Sequence, residues 1–216
     1  MSSKIKIDVV SDVVCPWCIV GYKRLEKAIA ELDIADKIEL EWQPFELNPA
    51  MPTEGENINE HLTKKYGSSA EDNARNRANL TSLGAAEGFT FDFYDAMRMV
   101  NTREAHVLLD YAKESGKQTA LNIRLITAFY SERKDVSDRA ILSEELKTVG
   151  LNVEEGLARL DATNSKADIH TKETYWQEMG VSGVPTVVFN RTSALTGAQP
   201  LETYKQVLTE LVAELD

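Results

Sequence analysis

The sequence predicts an α/β fold in which one domain is split by a helical insertion, and three observations carry the prediction. A strand–helix–strand pattern runs from Lys4 to Phe45, a series of punctuated helical segments fills the stretch from about Asn57 to Gly180, and a strand–strand–helix ending closes the chain. Residues 1–55 and 181–216 are therefore assigned to one sheet-containing domain and residues 56–180 to an all-helical insertion.

The first element, Lys4 to Val10 (KIKIDVV), alternates and then becomes continuously apolar, as a buried strand does. From Ile19 onward, Leu25, Ala28, Ile29 and Leu32 recur at helical spacing. Ile38 to Phe45 (IELEWQPF) sets Ile38, Leu40 and Trp42 against acids at a period of two, which is a second strand. Beyond Pro49 and Pro52 the rhythm turns helical. Ser69 with Asp72 has the spacing of a capping box, and Gly88 follows a helix end. Thr102 is the expected cap of a helix whose inward face is Ala105, His106, Leu109 and Ala112, with Gly116 ending it. Further stripes follow at Leu121, Leu125, Ile126 and Phe129, then at Ile141, Leu142, Leu146 and Val149, with Gly150 and Gly180 just past helix ends. Phe89 to Phe93 (FTFDF) reads as a short extended piece. Thr186 to Phe189 (TVVF) is an apolar strand for Ser193 to Thr196 to pair with, and Leu201 to Leu215 is a closing helix led in by Pro200.

Composition narrows the function. Hydrophobic residues at 43% and charged residues at 27% describe a globular chain able to bury a core, not a disordered one. A net charge of −11 argues against non-specific binding to nucleic acid or to an anionic membrane surface. No run approaches the eighteen apolar residues of a membrane span. The first strand begins almost at once, which leaves no room for a signal peptide, so a cytoplasmic location is expected; a mature secreted form with an added methionine would look the same. The sequence does not assign an oligomeric state.

The 216 residues include two cysteines, Cys15 and Cys18, in the stretch SDVVCPWCIVG. A C-x-x-C is a redox dithiol or half of a metal site. Structural zinc takes four ligands, and the three histidines His61, His106 and His170 are scattered without H-x3–5-H spacing, so no metal is expected. A buried, inert cysteine pair is the third reading. The position favours redox chemistry. C-P-W-C falls where a strand hands over to a helix, so Cys15 meets the unpaired N–H groups and positive dipole end that stabilise a thiolate. Pro16 sits where a missing N–H costs nothing, and Cys18 lies one turn on, placed to resolve a mixed disulfide. Trp17, between the two, is expected at the surface in contact with a substrate. Asp12 has two readings, a proton relay or a turn acid, and His106 has two, a core histidine or a site residue.

Strand, C-P-W-C, helix, strand, helical insertion, G-V-P-T, β-hairpin and final helix together resemble the DsbA-type thioredoxin-fold oxidoreductases, over essentially the whole chain. The segment Asn101 to His106 (NTREAH) is similar to the first insertion helix of their FrnE-like cytosolic branch. The resemblance implies a thioredoxin fold (βαβ…ββα) around the insertion and a cis peptide bond at Pro185. It also implies a substrate groove bordered by Pro16, Trp17, Val184 and Pro185. It further implies thiol–disulfide exchange with protein or peptide thiols, with glutathione as a further candidate partner and no cofactor beyond the dithiol. Trp17 stands where the well-known periplasmic members carry histidine, and inter-cysteine residues help to set the potential. Kappa-type glutathione transferases and hydroxychromene-carboxylate isomerases share the fold plan. They typically have serine at the position of Cys15 and lack the resolving cysteine, so glutathione-dependent chemistry on small molecules is the alternative.

Overall fold

The computed structural model describes residues 4–215. Strand β1 (Ile5–Ser11) is central, and its side chains are buried on both faces, in keeping with its apolar run. Helix α1 (Pro16–Glu31) returns the chain to β2 (Ile38–Pro44), which pairs parallel to β1 with Ile5 opposite Ile38 and Ser11 opposite Pro44. After the insertion, β5 (Thr186–Phe189) pairs antiparallel to β1 on the other side, and β6 (Ser193–Thr196) pairs with β5. The sheet order is β2-β1-β5-β6, and α9 (Leu201–Ala213) packs on α1. This is a thioredoxin-type sheet.

The insertion holds α2 (Ile58–Tyr66), α3 (Ala70–Ala86), α4 (Arg103–Glu114), α5 (Gln118–Tyr130), α6 (Arg139–Thr148), α7 (Val153–Asp161) and α8 (Ser165–Glu178). It also holds a two-residue antiparallel pair, β3 (Glu56–Asn57) with β4 (Arg98–Met99). The Ser69–Asp72 capping box forms with both of its hydrogen bonds. Gly116 and Gly180, at φ 65° and 91°, take the left-handed turn that a side chain would resist.

One local expectation differs. Thr102 occupies the cap position of α4 but its hydroxyl makes no capping bond, because its backbone, at φ −108° and ψ 1°, is not in the extended conformation that aims a capping side chain at the helix. Asn101 supplies the acceptor instead, its Oδ1 taking the Arg103 N–H at 3.0 Å. Phe89 to Phe93 interrupts the helices and pairs with no strand; Phe91 stacks on Phe93 at 5.4 Å and meets Tyr130 edge-on.

One buried apolar cluster runs from β1 and α1 through α4 and α5, so the sheet and the insertion share a core. The outer edge of β2 is closed by a side chain. Gln118 accepts from the Trp42 N–H and donates to the Trp42 carbonyl, both at 2.9 Å, standing in for a neighbouring strand.

Candidate functional site: the C-P-W-C turn and the cavity beside it

Register decides what lies beside the cysteines. Val10 is opposite Thr186, so the residues that precede β5 fall next to the turn that follows β1. That turn is closed by the Cys15 N–H donating to the Asp12 carbonyl at 3.0 Å. Cys15 is then the N-cap of α1, in extended conformation, with Pro16 leading the helix. The Cys15 thiol donates to the Val184 carbonyl at 3.7 Å, and the Val184–Pro185 peptide bond is cis. Pro185 is held in place from both sides. Its carbonyl accepts the Gly197 N–H at 2.8 Å, and a Cβ on Gly21 of α1 would come within 3.3 Å of its ring.

The two thiols have different surroundings. Cys15 is 3% exposed and lines a cavity of about 370 Å³; Cys18 is fully buried behind it and does not reach the cavity. Burial above all, then the adjoining Cys15 sulfur, pushes the Cys18 thiol well above its ordinary range. Trp17 is 40% exposed and forms part of the rim. The opposite wall comes from the insertion, with Leu62 and Lys65 on α2 and Arg77 and Leu80 on α3. Thus Cys15, Pro16, Trp17 and Val184 share one cavity, while Cys18 and Pro185 sit behind its lining.

Residues 6–209 match the DSBA-like thioredoxin domain family. The chain belongs to that family. It is 33% identical to a Streptomyces coelicolor protein described as a probable DsbA oxidoreductase, with 97% of this chain and 91% of that one covered and a TM-score of 0.90. The fold is also similar to a 2-hydroxychromene-2-carboxylate isomerase, at 15% identity, coverage of 98% and 99%, and a TM-score of 0.70. A third similar structure is the cytosolic disulfide reductase DsbM from Pseudomonas aeruginosa with GSH, at 16% identity, coverage of 96% and 99%, and a TM-score of 0.64. The DSBA-like family places the chain among oxidoreductases of the DsbA type.

Behind the dithiol of this DSBA-like domain lies a buried polar cluster that the sequence only half disclosed. Asp12 is fully buried; its Oδ2 accepts the Leu47 N–H at 2.8 Å, and its Oδ1 lies 3.4 Å from His106 Nε2. Asp12 thus joins the turn to the segment after β2, and His106 is a buried member of the same cluster. Glu173 Oε1 accepts the Glu46 N–H at 2.5 Å, and Arg103 Nε donates to Glu46 Oε1 at 2.8 Å. Burial works to lower the His106 pKa, but Asp12 first, then Glu173 and Glu46, outweigh it and hold the imidazole above its ordinary value. Glu173 is raised by its own burial and by the Glu46 carboxylate.

Tyr130 was missed altogether. Its hydroxyl donates to the Val14 carbonyl at 2.6 Å, pinning α5 to the turn, and burial and then Cys15 raise its pKa well above the usual value. An aromatic residue at a helix end carries no sequence signal for that contact. Among the described residues no group of three or more His, Cys, Asp or Glu side chains is arranged to hold a metal ion, and no helix is long and apolar enough to cross a membrane.

Proposed function

We propose that the chain exchanges disulfides with protein or peptide thiols through Cys15 and Cys18, in the cytoplasm, as a FrnE-like member of the DsbA family. The observation that carries the reading is the division between the thiols, one opening on a cavity and the other sealed behind it with a raised pKa. The Cys15 thiolate attacks one sulfur of a substrate disulfide, forming a mixed disulfide and expelling the other sulfur as a thiolate that takes up a proton. Cys18 then gives up its proton and attacks Cys15, forming the Cys15–Cys18 disulfide and freeing the second substrate thiol. Two electrons pass from the dithiol to the substrate, or back in the reverse direction. The reaction needs no metal and no organic cofactor. Burial favours keeping Cys18 protonated until the mixed disulfide forms beside it.

Residues 1–55 with 181–216 supply the dithiol and the Val184–Pro185 border, and residues 56–180 supply the facing wall. Pro16 and Trp17 would meet the substrate at the rim. Reduction of insulin disulfides by dithiothreitol, followed by light scattering, tests the reading. Cys15→Ser should lose at least about a hundredfold in rate. Cys18→Ser should trap a mixed disulfide visible by mass spectrometry. Wild-type turnover in both variants would sink the dithiol mechanism.

The small-molecule size of the cavity favours a second reading, glutathione-dependent transferase or isomerase chemistry. It predicts that Cys18→Ser keeps full activity on an electrophilic or isomerisable small substrate with glutathione, because no second thiol would be needed.

A further inference from the structure

The lining of the Cys15 cavity is unusual for this chain. The protein has 35 acidic residues against 24 Lys and Arg, yet not one Asp or Glu lines the cavity, whereas Lys65 and Arg77 do. Arg77 is unusual again. Among the described residues the nine other arginines, such as Arg24 with Glu87, Arg103 with Glu46 and Arg133 with Asp92, each donate to a carboxylate or a carbonyl. Arg77, a half-buried residue on the cavity wall, has no such partner for its guanidinium among the described residues. Lys65 is held by neutral acceptors, the Leu47 carbonyl and Asn48 Oδ1, both at 2.7 Å, so its charge is not cancelled. A guanidinium without a protein partner on a cavity wall is a fork of donors shaped for a carboxylate.

We propose that Arg77, assisted by Lys65, is the carboxylate-receiving subsite for a low-molecular-weight anionic thiol or disulfide, which exchanges electrons with the Cys15–Cys18 pair. The proposal rests on the dithiol reading above and adds the chemical class of the redox partner. A volume of about 370 Å³ lies in the range of small-ligand sites rather than of a groove for a long unfolded chain. A carboxylate on the insertion wall would leave the ligand sulfur to face Cys15 on the other wall. The step balances as before. Each partner disulfide takes two electrons and two protons to become two thiols, while Cys15 and Cys18 become a disulfide.

Two measurements separate the subsite from the mechanism. In the first, glutathione disulfide, which carries carboxylates, is compared with the uncharged hydroxyethyl disulfide as a substrate. Arg77→Gln should lower the ratio of their kcat/KM values about tenfold, and Lys65→Gln should lower it by a smaller factor. Raising ionic strength from about 0.05 to about 0.5 M should compress the wild-type ratio in the same direction. In the second, S-methylglutathione, which keeps the carboxylates but has no exchangeable sulfur, is titrated calorimetrically. Its binding should weaken about tenfold in Arg77→Gln. An unchanged ratio together with unchanged binding overturns the subsite. Arg77-dependent binding without turnover of either disulfide supports the subsite and refutes the dithiol reading instead.

Discussion

Two clusters of buried carboxylates, one within the insertion and one between the insertion and the sheet, are built differently. Glu145 on α6 is fully buried, yet both of its oxygens are used: Arg124 Nε donates to Oε2 at 2.7 Å and Lys134 Nζ to Oε1 at 2.9 Å. Those cations also reach Glu132, whose carboxyl is held down to about 2, chiefly by Arg124 and then Lys134. The cluster beside the dithiol has three carboxylates, Asp12, Glu46 and Glu173, facing His106 and Arg103. In it Asp12 Oδ1, Glu46 Oε2 and His106 Nε2 make no hydrogen bond among the described residues. In the first, matched cluster both oxygens of the buried carboxylate have a cationic donor, and the pairing holds α5 and α6 together. The second has surplus acid and a histidine and a glutamate both raised in pKa. The fold thus tightens the hold of His106 and Glu173 on their protons next to the cysteines, whereas in the first cluster it loosens that of Glu132.

The largest expected effect comes from breaking the matched cluster. Arg124→Met removes one of two cations from a buried carboxylate and should cost about 3–5 kcal/mol of stability in urea unfolding. Arg103→Met acts on the unmatched cluster and should cost less, about 1–3 kcal/mol, because it breaks one ion pair, to Glu46, where Arg124→Met breaks two, to Glu132 and Glu145. Equal losses in the two variants would erase the distinction. The smallest effect is a slope. The folded chain holds the His106 proton more tightly than the unfolded chain does, so this stabilisation is complete below the ordinary imidazole pKa and is lost as pH rises through the folded value. Glu173, also raised, contributes with the same sign. Unfolding free energy measured from about pH 5.5 to 8.5 should therefore fall less steeply in His106→Gln than in wild type. An identical slope would show that His106 does not titrate in this range.

The contrast also explains what could be read in advance. The dithiol was legible as a contiguous C-P-W-C at a strand–helix junction. The Val184–Pro185 border was legible only through the resemblance of the whole pattern, because the β1–β5 pairing that brings G-V-P-T beside the cysteines is a property of the fold. Helices with Ser69, Gly116 or Gly180 at their ends declared themselves through capping chemistry. The β3–β4 pair was not legible, because two residues carry no periodicity. Thr102 misled, because its backbone is not extended and its neighbour Asn101 supplies the acceptor instead. The unmatched cluster draws Asp12, Glu46, His106 and Glu173 from four distant segments, with no spacing rule to connect them. Arg77 looked like any surface arginine, since the absence of a partner is a property of the fold alone.

The position of Trp17 has an optical consequence. The other two indoles, Trp42 and Trp176, are 3% and 2% exposed and lie beyond the reach of dissolved iodide. Trp17, at 40%, sits on the rim of the Cys15 cavity. Its emission should lie to the red of the other two and be quenched by collision, while theirs is not. Anything that settles against that rim shields it. The iodide-quenchable share of the fluorescence is thus a direct gauge of how many molecules have an open cavity, and Trp17→Phe sets its zero.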